Sequence, residues 1–173
     1  MTLVLRAMTL EDLPIFEGWL DEPHFATWFL QDSTVADELA TNAAMIRGED
    51  PATVLIAELD GRPIGWGQWY RWEWYPETAA AYGAYPGEYG IDYGIGEPDC
   101  IGRGLGTELV GLLVAEVPAR ASILAAPSGR NRPSCRALER NRFTKWGYLS
   151  VAEEPNASPL ALYRREYAQR TDQ

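Results

Sequence analysis

The segment Ile101-Gly102-Arg103-Gly104-Leu105-Gly106-Thr107 leads directly into the apolar run at 109–114. Three glycines at alternate positions leave the backbone amides open, and the helix predicted to follow adds the positive end of its dipole. A glycine-rich loop at a helix N-terminus is a favourable site for a phosphate or pyrophosphate group. The residues at 89–95 just before it read as a strand. The strand–loop–helix order predicts a nucleotide- or coenzyme-binding unit, with an ordinary glycine-rich turn as the alternative.

Two common phosphate-binding motifs do not fit this loop. A P-loop requires Lys before the final Ser or Thr, whereas Thr107 follows Gly106 directly. A dinucleotide-binding fingerprint requires its third glycine three residues after the second, and here the interval is two. The loop therefore predicts a phosphate ligand of another kind.

Composition predicts one globular domain over residues 1–173, with 46% hydrophobic and 23% charged residues. No apolar run is long enough to span a membrane, and Met1–Arg6 does not resemble a secretory signal, so we expect a cytoplasmic protein. Cys100 and Cys135 do not have metal-ligand spacing, so we expect free thiols and no metal. A formal net charge of −10 argues against a nucleic-acid partner and suits a cationic small molecule, although it also serves solubility alone.

Periodicity and turn residues predict an α/β fold. The first helix is expected from a capping box at Thr9 and Asp12 and is expected to bury Leu10. Asp60-Gly61 predicts a hairpin turn. We expect strands at 3–6, 53–59, 64–72, 89–95, 122–125, 148–152 and 160–167, further helices at 35–47, from the glycine loop to 117 and at 133–141, and an irregular segment at 73–88.

Several motifs resemble the GNAT acetyltransferases, and in particular their aminoglycoside 6'-N-acetyltransferase branch, in the same order and at near-equal spacing along nearly the whole chain. They are Leu5-Arg6-Ala7-Met8-Thr9, Trp19-Leu20, His24, Trp28, Asp60-Gly61-Arg62-Pro63-Ile64-Gly65, Gln68, Tyr70, Gly90-Ile91-Asp92, the glycine loop, Asn131 and Glu139. The resemblance implies the GNAT fold, a mixed sheet with helices on both faces.

The resemblance also implies that acetyl-coenzyme A donates an acetyl group to an amine. Its pantetheine arm would lie along Tyr93, Gly94 and Ile95, and its pyrophosphate would lie on Gly102, Arg103, Gly104, Leu105, Gly106 and Thr107, with Asn131 as a further coenzyme contact. By position, Asp92 matches the residue that takes the amine proton. An Asp inside a strand is also disfavoured by propensity, a local conflict that is typical of functional sites.

The substrate-binding candidates are Trp28, Gln68, Tyr70, Trp72, Glu73, Trp74 and Asp92, since aromatic faces stack on sugars and carboxylates hold amines. Several of these aromatic residues are equally expected to pack in the core. We assign His24 a structural role.

Three positions depart from the relatives. Leu138 stands where they carry a Tyr that serves as general acid, so water or Tyr148 replaces it, or no acid is needed. Ala126 and Asn156 stand where they carry substrate-binding Asp residues.

The sequence therefore predicts an N-acetyltransferase of an aminoglycoside or other amino sugar, as a monomer or homodimer. The alternatives are acetylation of a siderophore precursor or similar metabolite, and a non-catalytic binder of acetyl-coenzyme A or sugars.

Overall fold

A computed structural model describes residues 1–118, 120–150 and 158–167. Within them, seven strands form one sheet in the order β1-β2-β3-β4-β5-β7-β6, antiparallel except for the parallel pair β4 and β5. The strands are β1 (Leu3–Ala7), β2 (Thr53–Leu59), β3 (Arg62–Arg71), β4 (Tyr89–Ile95), β5 (Ile123–Ala125), β6 (Thr144–Leu149) and β7 (Leu160–Arg165). The helices are α1 (Leu13–Leu20), α2 (Pro23–Phe29), α3 (Val35–Arg47), α4 (Pro76–Tyr82), α5 (Leu105–Glu116) and α6 (Arg132–Arg140).

Each face of the sheet has its own hydrophobic core. One core packs Phe16, Leu20 and Phe25 of the first two helices against Ile56 and Trp66 of the sheet. The core on the opposite face contains residues of α5 and α6, including Leu109, Leu113 and Leu138, together with Ile91 and Ile123. The predicted mixed sheet with helices on both faces is confirmed. No described helix is long and apolar enough to cross a membrane.

Local signals account for the boundaries of several elements. Thr34 caps α3 by accepting a hydrogen bond from the Asp37 amide at 3.2 Å, and Gly48 ends that helix with φ of 74°. Asp60 and Gly61, with φ of 51° and 82°, have the positive φ that a tight turn between β2 and β3 requires. The Asp12 carboxylate accepts from the Thr9 amide at 2.8 Å, as the predicted capping box requires.

Four predictions of local structure were wrong. The helix α2 was not predicted, although Pro23 lies in its first turn. The segment predicted as irregular contains a short 3₁₀ turn at Trp72–Trp74 and the helix α4. Leu10 is 45% exposed because it lies in a 3₁₀ turn ahead of α1. The strand β6 begins at Thr144, four residues before the predicted start, and residues 151–152 of that prediction lie outside the described part of the chain.

A gap opens in the sheet between β4 and β5. These strands pair only at Tyr89 with Ile123 and at Gly90 with Leu124, while β4 continues to Ile95. On its other side, β4 stays paired with β3 up to Ile95. The second half of β4 therefore faces the gap with an edge that β5 does not cover.

Candidate active site

The glycine loop forms a concave row of amides at the start of α5. Gly102 and Gly104 have φ of 74° and 82°, in the left-handed region that favours glycine. A Cβ at either position would meet no atom within 4 Å, so the loop surface is open. Among the described residues, no backbone carbonyl accepts from the amides of residues 102–106. These free amides and the helix dipole together suit a pyrophosphate.

The first of two cavities, which we call the gap cavity, has a volume of about 290 Å³. Its wall includes Asp92 and Tyr93 of β4, together with Asn131 and Ser134 at the start of α6. Successive residues of a strand point to opposite faces of the sheet. Because Asp92 and Tyr93 both line this cavity, it passes through the sheet where β4 and β5 separate.

The second cavity, which we call the tyrosine cavity, has a volume of about 380 Å³. Its wall combines aromatic residues with the carboxylate of Asp50, which accepts a hydrogen bond from the Tyr75 hydroxyl at 2.8 Å. Its lining residues are Thr41, Met45, Asp50, Gln68, Tyr70, Trp72, Tyr75, Thr78, Tyr82, Asp92 and Ala126. The two cavities share Gln68, Asp92 and Ala126, so Asp92 lies where they meet.

Asp92 is half-buried and held by its neighbour on β3. Gln68 lies directly opposite it in the sheet and donates its Nε2–H to Asp92 Oδ2 at 2.7 Å. Burial raises the pKa of Asp92, hydrogen bonds from Gln68 and Tyr70 oppose that rise, and the charge of Glu38 adds to it. A carboxylate whose pKa is raised is a stronger base while it remains ionised at neutral pH.

The structure brings five of the seven predicted substrate-binding residues to these cavities, namely Trp28, Gln68, Tyr70, Trp72 and Asp92. Trp28 lines the gap cavity, and Tyr70 lines the tyrosine cavity. Trp72 also contributes to that wall, although it is buried and its indole N–H donates to the Tyr89 carbonyl at 3.1 Å. Gly94 and Ile95 lie on the open edge of β4, beyond its last pair with β5.

Three predicted residues lie away from this arrangement. Glu73 is exposed and forms an ion pair with Arg71 at 2.8 Å, and neither Glu73 nor Trp74 lines the two cavities. Arg103 is in the glycine loop, but its guanidinium lies within 3.4 Å of the Asp99 carbonyl and 3.3 Å of the Met1 sulfur. In this conformation the Arg103 side chain contacts Asp99 and Met1.

His24 contacts the end of β4. Its Nε2 lies 3.1 Å from the Ile95 carbonyl oxygen, a contact between α2 and the strand. This hydrogen bond agrees with the structural role expected for His24.

The positions that depart from the relatives lie in very different surroundings. Leu138 lies on the buried face of α6 and is completely buried. Tyr148 is 59% exposed, and its hydroxyl lies 3.0 Å from Lys145 Nζ, outside both cavities. Ala126 lines both cavities, so the missing carboxylate leaves an uncharged wall beside Asp92. Asn156 lies outside the described residues.

Several lining residues were not predicted. Ser134, Glu38 and Asp50 give no sequence signal that separates them from ordinary surface polar residues. Thr78 and Tyr82 do give one, because a spacing of four residues places them on one face of a helix. Treating 73–88 as irregular hid that spacing.

A buried ion pair anchors the segment that carries α4. Glu88, just before β4, accepts from Arg164 Nε of β7 at 2.7 Å, and both side chains are buried. The same guanidinium donates to the Gly83 carbonyl at 2.9 Å and stacks 3.9 Å from the centre of the Tyr85 ring. These contacts link strand β7 to the segment after α4, the helix that forms one wall of the tyrosine cavity.

Comparison with known proteins gives matches over most of the chain. A family model described as an acetyltransferase (GNAT) domain matches residues 9–151. The aminoglycoside N(6')-acetyltransferases type 1 of Klebsiella pneumoniae and Serratia marcescens are each 30% identical over 167 residues, covering 89% of this chain and 80% of the relative.

Solved structures with similar folds include two complexes of the aminoglycoside acetyltransferase AAC(6')-Ib. The complex with ribostamycin and coenzyme A has a TM-score of 0.76 at 27% identity, and covers 100% of both chains. The complex with paromomycin and acetyl-coenzyme A has a TM-score of 0.75 at 27% identity, with the same coverage.

Proposed function

The chain belongs to the GNAT acetyltransferase family, and we propose that it transfers an acetyl group from acetyl-coenzyme A to an amine of an aminoglycoside or a related amino sugar. One observation carries this proposal. Asp92, with its raised pKa, lies where the gap cavity meets the tyrosine cavity. A base at that junction can reach an amine held in one cavity and an acyl group held in the other.

The residues present fit acetyl-coenzyme A. The free amides and open surface at 102–106 suit its pyrophosphate, and the uncovered edge of β4 at Tyr93, Gly94 and Ile95 offers backbone groups to an extended arm. The coenzyme supplies the acetyl thioester. A backbone N–H of β4 at this edge can stabilise negative charge that develops on the carbonyl oxygen.

Asp92 has two roles in this proposal. An amine is protonated at neutral pH, so the ionised carboxylate first attracts the ammonium group and then takes its proton. General-base assistance of this kind contributes roughly 10²–10⁴-fold to the rate. Gln68 fixes the carboxylate by donating to Asp92 Oδ2 at 2.7 Å.

The tyrosine cavity is the proposed acceptor site. The rings of Tyr70, Tyr75 and Tyr82 offer flat apolar faces to a sugar, and Asp50 offers a second carboxylate to another ammonium group. Ala126 removes one charge from the shared wall, which favours acceptors with fewer amines than the most highly charged aminoglycosides. The net charge of −10 suits such cations.

Thiol release from acetyl-coenzyme A tests the proposal. The acceptor panel contains kanamycin, ribostamycin, a monoamino sugar and hydroxylysine, the last representing the siderophore-precursor alternative. Asp92→Asn should abolish most of the turnover. Asp60→Asn is the matched control, because Asp60 lies in an exposed turn whose positive φ Asn also tolerates.

Turnover with an aminoglycoside or amino sugar supports the proposal. Turnover with hydroxylysine alone would identify the acceptor as a siderophore precursor or similar metabolite. Coenzyme binding with no turnover on the panel, or equal rates for Asp92→Asn and Asp60→Asn, would overturn it.

A further inference from the structure

Tyr93 is the residue next to Asp92, and its hydroxyl lies on the other side of the sheet. The Asp92 side packs with Gln68, Tyr70 and the α1–α3 core, whereas the Tyr93 ring packs against the core that contains α5 and α6. Both residues line the gap cavity. A molecule that passes through the gap therefore has a carboxylate on one side and a phenol on the other.

The Tyr93 hydroxyl is held in a fixed position. It lies 2.7 Å from the Ser134 hydroxyl and 3.2 Å from the Ser134 carbonyl oxygen, in the first turn of α6. The amide of Ser134 in turn donates to Asn131 Oδ1 at 3.2 Å, the cap of the same helix. In this structure the phenol donates its proton to the Ser134 carbonyl at 3.2 Å. A thiolate in the gap is a stronger acceptor than a neutral carbonyl, so the phenol proton can turn toward it while the Ser134 hydroxyl, at 2.7 Å, donates to the phenol oxygen.

The phenol is a hydrogen-bond donor at every working pH. Burial raises the pKa of Tyr93, while its hydrogen bond with Ser134 lowers it by a smaller amount. The group therefore stays protonated and can donate a hydrogen bond without giving up its proton.

A hydrogen-bond donor on this side of the gap would stabilise the departing sulfur during acetyl transfer. As the bond from the amine nitrogen to the acyl carbon forms, the carbon–sulfur bond breaks and its electron pair stays on the sulfur. The ammonium gives one proton to Asp92 before attack, and Asp92 passes it to solvent. The nitrogen loses its second proton by the same route after its bond to the acyl carbon has formed, and the sulfur leaves as a thiolate. The nucleophile and the leaving group lie on different sides of the acyl carbon. With the base on one face of the sheet, we expect the donor to the sulfur on the opposite face.

We propose that Tyr93 is a catalytic residue whose hydroxyl, oriented by Ser134, donates a hydrogen bond to the departing sulfur. This assignment rests on the proposed acetyl transfer. It also accounts for how the chain functions with Leu138, an apolar residue one helical turn after Ser134 on the same face of α6, completely buried and unable to donate. The phenol is supplied by the strand instead of the helix.

The test uses Tyr93→Phe, which keeps the ring and removes one oxygen. Tyr148→Phe is the matched control, since that hydroxyl lies outside the cavity beside Lys145. The first measurement needs no acceptor. Coenzyme A is bound to each protein and its thiol is titrated by the ultraviolet absorbance of the thiolate.

A hydrogen bond to a charged group is worth enough to lower the titration midpoint of the bound thiol by about one to two pH units. We expect that midpoint to return toward the free value in Tyr93→Phe and to stay unchanged in Tyr148→Phe. Ser134→Ala should shift it in the same direction by less. With any accepted amine, kcat of Tyr93→Phe should fall roughly 10- to 100-fold with little change in KM for acetyl-coenzyme A.

An unchanged thiol midpoint in Tyr93→Phe, or an equal shift in Tyr148→Phe, would overturn the assignment. Because this titration does not depend on turnover, it separates a failure of this inference from a failure of the proposed acceptor. If the phenylalanine variant does not fold, Ser134→Ala gives the same readout, and an unchanged midpoint there overturns the orienting role of Ser134 and with it the proposal.

Discussion

Replacing Asp92 by Asn is expected to lower activity and raise stability at the same time. The two side chains have the same shape, and Gln68 can keep its hydrogen bond by turning its amide so that Oε1 accepts from the new Asn. The change therefore removes a charge and a base while it leaves the packing intact. We expect kcat to fall roughly 10²–10⁴-fold.

The sign of the stability effect follows from the raised pKa of Asp92. Its pKa in the folded state lies above the value in the unfolded chain, so the folded state binds more protons in the interval between the two. In that interval the stability of the native protein falls as pH rises, by up to about 1.4 kcal/mol per pH unit. Asn does not titrate. The stability of the variant therefore rises relative to that of the native protein through this interval, and the difference persists at neutral pH.

Urea unfolding at a series of pH values, from below the usual pKa of Asp to neutral, measures this difference. Asp60→Asn, at an exposed turn, should show no comparable pH-dependent gain. The reasoning would be refuted if Asp92→Asn were less stable than the native protein at neutral pH by an amount independent of pH. A kcat within threefold of native would refute the role of Asp92 as base.

Three other perturbations test separate parts of the structure. Glu88→Ala leaves the buried Arg164 guanidinium without its carboxylate and should cost about 3–5 kcal/mol, a fall in Tm of roughly 6–20 °C by calorimetry, whereas Glu166→Ala at the exposed end of β7 should change little. Gly104→Ala, at φ of 82°, should weaken coenzyme A binding measured by titration calorimetry. Gly87→Ala, at φ of 79° and outside the loop, should destabilise the fold by the same strain of about 1–2 kcal/mol without changing the affinity. Equal affinity in both variants would contradict the loop assignment. Leu138→Tyr should cost about 1–3 kcal/mol in urea unfolding and give no increase in kcat, because its site is closed; a faster enzyme would show that the helix can still supply the phenol.

The sequence predicted those features whose cause lies within a few residues. The cap at Thr34 and the glycine end at Gly48 determine the bounds of α3, and the positive φ at Asp60 and Gly61 determines the hairpin. The family resemblance, carried by short motifs of this kind, correctly identified the acetyltransferase fold. Two signals singled out Asp92: its match in position to the residue of the relatives that takes the amine proton, and the low propensity of Asp for the interior of a strand.

Errors arose where a short local signal depended on its surroundings. The helix α4 was missed because its seven residues have only weak signals of their own, and a helix of that length is stabilised mainly by packing. With α4 missing, Glu73 and Trp74 were predicted as substrate-binding residues, whereas the helix places Thr78 and Tyr82 on the wall of the tyrosine cavity. The acidic and aromatic composition of the segment predicted a binding role, but without the helix it could not predict which side chains line the cavity.

By itself, the sequence determined the kind of fold, the glycine loop and the place of the Asp92 carboxylate on β4, because backbone preferences and short motifs are encoded locally. Tertiary structure alone decided that Glu88 meets Arg164 across 76 positions of the chain, and that Tyr93 meets Ser134 across 41. It also decided where β4 and β5 stop pairing, which opens the gap that places Asp92 and Tyr93 on one cavity. Such contacts depend on how whole elements pack, a long-range property that no short stretch of residues specifies.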